Sequence, residues 1–223
     1  MKPIVTLLFL LIATPALCQQ FNFPVFKPTV VSLKSMVPTN WKIKLQAIGD
    51  LNGDKFADLA LILEYSDKIK EHRPDSYTNT RHPRMLLIWF KTVNGYQLAL
   101  QNNTIISREG EGGMVNDPLD NIKITNKVLH INYEYVRSHA YYKYRYQNDG
   151  FYLIGATEGG VSGGKIKVCD YNFSTRKAEC TYGELGKDTD KKETKRIKLT
   201  KLNALTDPDL PNGWDTYEVT CVQ

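Results

Sequence analysis

Apolar and polar residues alternate along most of the chain in short runs rich in β-branched and aromatic side chains. Residues 42–48, 57–64, 84–91, 96–100, 127–135, 140–147, 151–157, 165–173 and 177–182 each carry the period of two expected of a strand. Asn94-Gly95 and Asn148-Asp149-Gly150 separate consecutive runs, and such pairs favour tight hairpins. No stretch keeps a helical period over three turns; the lysine-rich 186–203 reads as a turn or a short strand. The pattern predicts an all-β, antiparallel, hairpin-rich domain, arranged as a sandwich or a small propeller-like domain. The chain is too short for a full propeller and lacks a blade-length repeat.

The first eighteen residues stand apart. Lys2 is followed by an apolar run from Ile4 to Ala13, shorter than a bilayer-spanning helix. Ala16 and Cys18 then occupy the small-residue positions of a signal-peptidase site. Residues 1–18 are read as a cleaved secretory signal, 19–40 as an N-terminal extension and 41–223 as a single β domain. The expected location is exported, periplasmic or secreted, with no integral membrane segment after cleavage.

Export to an oxidising compartment changes the reading of the cysteines. Cys169 and Cys180 flank a Ser-Thr turn and fall opposite each other in a hairpin centred between Ser174 and Thr175. That register predicts a Cys169–Cys180 disulfide, leaving Cys221 over near the C-terminus.

Charge adds little. The 29 Lys plus Arg against 24 Asp plus Glu give a mild +5, far from the basic density of a dedicated nucleic-acid binder. The basic 187–201 stretch reads as a solvated face. Long loops at 66–83 and 108–121, and the tyrosine ladder YEYVRSHAYYKYRY with Arg137, Lys143 and Arg145, are candidates for partner contact.

One segment carries a chemical mechanism. Asp50, Asn52, Asp54 and Asp58 place side-chain oxygens at loop positions one, three, five and nine, and Phe56 offers its backbone carbonyl at seven. Such a set suits Ca²⁺ rather than Mg²⁺ or Zn²⁺. An EF-hand is excluded, because Leu61 stands where its bidentate Glu would be and the apolar run ALILE that follows is a buried strand. His72, His82, His130 and His139 show no metal-ligand spacing, and nucleophile and phosphate-loop motifs are absent. Glu109, Glu111 and Asp117 are the nearest acids for a glycosidase, but the chain is read as a non-enzyme.

The acidic loop resembles the single calcium loop of FG-GAP and VCBS repeat proteins, with Lys55 where the usual glycine stands. Together with the signal segment and the hairpin YKYRYQNDGFYLIGA, the chain is similar to small exported bacterial proteins that include periplasmic calcium-binding lysozyme inhibitors and immunity proteins. The resemblance implies a structural Ca²⁺ and a protein partner, such as a lysozyme-like peptidoglycan hydrolase. It implies partner contact through the glycine-rich loop Gly159–Gly164 at Ser162, Gly163 and Gly164, with Tyr171 as its aromatic. The alternative is an exported binding module for glycan or cell-surface protein.

Overall fold

The structure, a computed structural model, describes residues 21–72, 78–113, 116–188, 190–206 and 218–221; the signal segment lies outside them. It is all-β and antiparallel. The smaller sheet has five strands in the order β1 (Thr29–Val30), β7 (Gly95–Asn102), β6 (Arg84–Thr92), β3 (Asp58–Tyr65) and β2 (Trp41–Gly49). The larger has eight. It begins at β8 (Leu119–Thr125) and continues in chain order through β9 (Val128–Glu134), β10 (Ser138–Gln147) and β11 (Gly150–Ser162). It ends with β12 (Lys165–Asn172), β13 (Lys177–Glu184), β14 (Lys191–Lys198) and β15 (Glu218–Cys221). A separate hairpin, β4 (Ile69–His72) with β5 (Thr78–Arg81), occupies the segment expected as a long loop. Of the two arrangements expected, the sandwich is the one formed, because each sheet buries a face against the other.

Both faces of the smaller sheet are buried, which explains why β3 and β6 are apolar without interruption. Ala60, Ile62, Leu86 and Ile88 face the larger sheet. Leu59, Leu61, Leu63, Met85, Leu87 and Trp89 point the other way, into a second core. The lid on that second core is the stretch read as an N-terminal extension. Phe21, Phe23, Phe26 and Val30 pack on it, and Phe26 meets the Trp89 ring edge-on at 5.9 Å. The lid is pinned where β1 crosses Gly95: a Cβ there would lie 2.3 Å from the Val30 carbonyl.

A bulge in β2 between Ile43 and Leu45 supplies both cores from one strand. Strict alternation would put Trp41, Ile43, Leu45 and Ala47 on one face. The extra residue, Lys44, turns Trp41 and Ile43 toward the N-terminal lid and Leu45 and Ala47 toward the larger sheet. At its end β2 comes against β8, where Gly49 leaves room for the Ile124 side chain.

Lys44 also joins a set of buried charges at the crossover between sheets. Arg84, buried on β6, donates from Nε and Nη2 to Glu64 at 2.8 and 2.6 Å, and from Nη1 and Nη2 to Asp117 at 2.9 and 2.6 Å. It also donates to the Ser107 carbonyl at 2.7 Å, and Lys44 reaches Asp117 at 2.8 Å. Arg108 is equally buried; it grips Glu71 of the β4–β5 hairpin through two bonds of 3.0 Å and donates to the Asn103 and Ile106 carbonyls.

The hairpin readings hold where the turn residues are local. Asn148 and Asp149 form a two-residue turn with positive φ at both, as a type I′ turn requires. Cys169 and Cys180 are direct cross-strand partners, 4.1 Å apart at Cα, and form the disulfide. Asn126 and Lys127 make another positive-φ turn, which joins β8, a strand the sequence reading passed over, to β9. The lysine-rich stretch supplies β14, and the Cys221 side chain lies outside the described residues.

Burial works against ionising Asp117, but hydrogen bonds from Arg84 and Lys44 outweigh it and hold the carboxyl at about 2. Glu64 is lowered in the same way: burial opposes ionisation, and the Arg84 charge overcomes it. Carboxylates depressed in the folded state stabilise it above their unfolded range, and that contribution is lost as pH falls from about 4 toward 2. Acid titration of the melting temperature is expected to fall through that window, with a shallower fall in Asp117→Asn. Arg84→Met is expected to cost about 3–5 kcal/mol in chemical denaturation, because it strands buried Glu64.

Candidate functional site

The larger sheet is longer than the smaller one covers, and a broad concavity lies at its uncovered end. Strand β11 shows why. Its inward residues are Phe151, Leu153 and Ala156 where the smaller sheet lies against it. A bulge opposite Lys143 and Tyr144 keeps Ala156 on that face, and the next inward positions are Glu158, Gly160 and Ser162. Apolar alternation along β11 stops at Ala156, although Cys169 and Cys180 in the next row still belong to the core.

Cross-strand registers define the floor. Ala140, Glu158, Cys169 and Cys180 lie in one row across β10 to β13; Ser138, Gly160, Lys167 and Tyr182 form the next. Ala140, Cys169 and Cys180 in the first row and Ser138 and Gly160 in the second are short, so the floor is low there, while Lys167 and Tyr182 end the second row as part of a wall. Taller groups rise around it: Tyr135 and Tyr142 on one side, Tyr182 and Lys167 on the other. They enclose a trough of about 880 Å³, with Glu158 on its floor and Arg137 and Lys165 also lining it.

The walls are held from behind. Tyr135 stacks near-parallel to buried Tyr133 at 6.5 Å, and Tyr142 meets Tyr133 edge-on at 5.9 Å. The Tyr135 ring lies where a Cβ on Gly112 would be, so the glycine-rich 108–113 segment abuts the trough. Burial, reinforced by the charges of Glu111 and Glu158, pushes the Tyr135 hydroxyl above its ordinary pKa, so it remains a donor at neutral pH. On the far wall, Lys195 donates to the Tyr182 hydroxyl at 2.6 Å.

The segment expected as an extended glycine loop is strand through Ser162, and only Gly163 and Gly164 turn, both at positive φ. A Cβ on either would find nothing within 4 Å, so the turn is open to side chains, while its Gly164 carbonyl accepts from Leu185 N at 2.8 Å just past the end of β13. Tyr171 is not at the tip. It is buried beneath the trough and stacks on Phe173 at 6.1 Å.

The acidic loop is closed by its own amides. Asp50 accepts from Gly53 N at 2.6 Å and Lys55 N at 3.2 Å, Asn52 from Asp54 N at 3.0 Å, and Asp54 from Phe56 N at 2.8 Å. Lys55, in the place of the usual glycine, takes the positive φ of 73° that a glycine would supply. Asp58 is fully buried and accepts from Leu51 N at 2.8 Å and Lys91 N at 2.9 Å, tying the loop to β6. Burial raises its pKa despite these bonds. Among the described residues no group of three or more His, Cys, Asp or Glu side chains gathers at metal-holding spacing.

The acids considered for glycoside cleavage are engaged elsewhere. Asp117 pairs with Arg84 and Lys44, Glu111 with Arg81 at 2.8 Å, and Glu109 lies 3.8 Å from Lys68. Of the tyrosine ladder, Tyr133, Tyr135, Tyr142 and Tyr144 serve the core or the trough. Lys143 and Arg145 lie on the other face with Tyr141 and His139, whose ring rests over Gly159. Glu158, Lys167 and Tyr182 were not singled out beforehand; the signal that points to them is the loss of apolar alternation after Ala156.

Comparison with protein-family models, curated proteins and solved structures finds no match. No helix among the described residues is long and apolar enough to cross a membrane.

Asp58→Ala is expected to cost about 2–4 kcal/mol, since it leaves two buried amides without an acceptor. Thermal or chemical denaturation measures this directly. Asp54→Ala removes an exposed acceptor and is expected to cost less than about 1 kcal/mol.

Proposed function

We propose that this chain is an exported, non-catalytic binding protein that holds a glycan or cell-surface protein at the uncovered end of its large sheet. The observation behind this reading is the trough: tyrosine walls braced by the core, a low floor and charged groups at defined places. Concave sites with aromatic walls and a few oriented polar groups are characteristic of ligand binding. Cosedimentation with insoluble peptidoglycan and with polysaccharides tests it. The protein is expected to pellet with at least one, and Tyr182→Ala with Lys167→Ala to release it while the melting temperature holds.

The open Ser162-Gly163-Gly164 turn favours a second reading, an inhibitor or immunity factor that inserts this hairpin into the cleft of a lysozyme-like hydrolase. Purified protein would then suppress peptidoglycan cleavage, and Ser162→Arg would relieve the suppression. Undiminished cleavage at excess protein ends that reading.

A structural Ca²⁺ belongs to the same proposal. Asp50, Asn52 and Asp54 would hold it through side-chain oxygens and Phe56 through its carbonyl, with Asp58 anchoring the loop from below. The ion would neutralise clustered acids and stiffen the loop. Because amides already occupy these oxygens, the gain is small. Millimolar calcium is expected to raise the melting temperature by about 2–4 °C, reversed by chelator. Calorimetry without heat at that concentration removes calcium from the account.

A further inference from the structure

We infer that the trough takes an oligosaccharide bearing carboxylates. This rests on reading the trough as the ligand site and adds the chemistry of what fills it.

The backbone beneath the trough narrows the choice. β10, β11, β12 and β13 are each paired on both sides within the sheet, so no free row of N–H and C=O groups is available there. A peptide added as an extra strand needs such a row. Recognition must run through side chains standing up from a finished sheet.

Those side chains have the character a sugar ring requires. A pyranose offers apolar C–H faces and an edge of hydroxyls. Tyrosine presents an apolar ring with a polar tip, and so meets both. Tyr135, Tyr142 and Tyr182 line the trough on opposite sides of its floor and offer aromatic surface to a sugar chain laid across it, with Lys195 over the Tyr182 ring at 5.2 Å. Glu158 on the floor, when ionised, can only accept hydrogen bonds. Sugar hydroxyls donate them; a phosphate or carboxylate set over Glu158 would be repelled.

The charge around that acid is of the opposite sign. Arg137, Lys165 and Lys167 line the trough, and Lys167 lies directly across the sheet from both Gly160 and Tyr182. Cations at the margin with an acid at the centre fit a chain whose hydroxyls face inward and whose carboxylates point outward. A nucleic-acid backbone, charged at every nucleotide, would set phosphates over Glu158 as well.

Titration calorimetry on the full mature chain separates the possibilities. The probes are a linear oligogalacturonate, a neutral chito-oligosaccharide of the same length and a polyglutamate peptide of the same length. Oligogalacturonate is expected to bind about tenfold more tightly than either of the others. Lys165→Ala with Lys167→Ala is expected to weaken it about tenfold in low salt and much less in high salt, where the charges are screened. Tyr182→Ala is expected to weaken it in both, and both variants are checked for an unchanged melting temperature. Equal affinity for the neutral oligosaccharide overturns the acidic assignment. Equal affinity for polyglutamate overturns the saccharide assignment. Binding untouched by either variant overturns the trough as the site, and no binding of any probe overturns this inference. The broader binding reading is decided separately, by cosedimentation with whole cell-wall material.

Discussion

A guanidinium cannot be buried unaccompanied, and the way Arg84 is accompanied organises the molecule. Its donors are shared between Glu64 on the neighbouring strand, Asp117 just before β8 and the Ser107 carbonyl in the crossover. These partners belong to different parts of the chain: one to the smaller sheet and two to the connection leading into the larger one. Satisfying a single side chain thus fixes where the second sheet begins. Arg108 repeats the device one step along, holding the β4–β5 hairpin through Glu71 while its own amide donates to Glu111 at 2.9 Å. A buried ion pair is weak evidence for net stability, because desolvation cancels much of the attraction. Here its geometric role is the clearer one: few other positions of the crossover would satisfy so many donors at once.

From that clasp outward, the fold is a matter of which faces are covered. The smaller sheet is covered on both, by the larger sheet and by the N-terminal segment. The larger sheet is covered only in part, and its inward side chains change from apolar to short and polar where the cover ends. The candidate site is therefore a by-product of unequal sheets: the same strands that build the core continue past it and become the walls of a trough. Tyr135 and Tyr142 are braced by the same core residue, Tyr133, so these walls inherit the rigidity of the interior.

Much of this was legible in the sequence, and the exceptions have physical causes. Short runs rich in β-branched and aromatic residues located nine strands, two of them (β3 and β6) apolar on both faces and the rest alternating. The spacing of Cys169 and Cys180 around a short turn pointed to the disulfide. The strand β8 was missed because its bulge breaks alternation between Leu119 and Asn121, and because Lys127 at positive φ hides the turn that follows. The β4–β5 hairpin was missed because its strands are polar and are held by Arg108 from a distant part of the chain. The glycines at 159 and 160 suggested a loop. In the strand they make room for neighbours, Gly159 for the His139 ring and Gly160 for Ser138. The trough could not be seen from periodicity alone, since it depends on where a second sheet stops.

The β11–β12 hairpin has a mechanical consequence beyond recognition. Its two-glycine turn leaves open space for side chains but is tied sideways, because the Gly164 carbonyl accepts from Leu185 N at 2.8 Å. The Cys169–Cys180 staple lies toward the hairpin's root, binding β12 to β13. Load applied at the tip is carried into β13 by ladder hydrogen bonds and by a covalent cross-link whose two cysteines are buried in the core between the sheets. A foreign loop grafted between Gly163 and Gly164 would accordingly have to keep the Gly164–Leu185 bond to leave the sheet undisturbed.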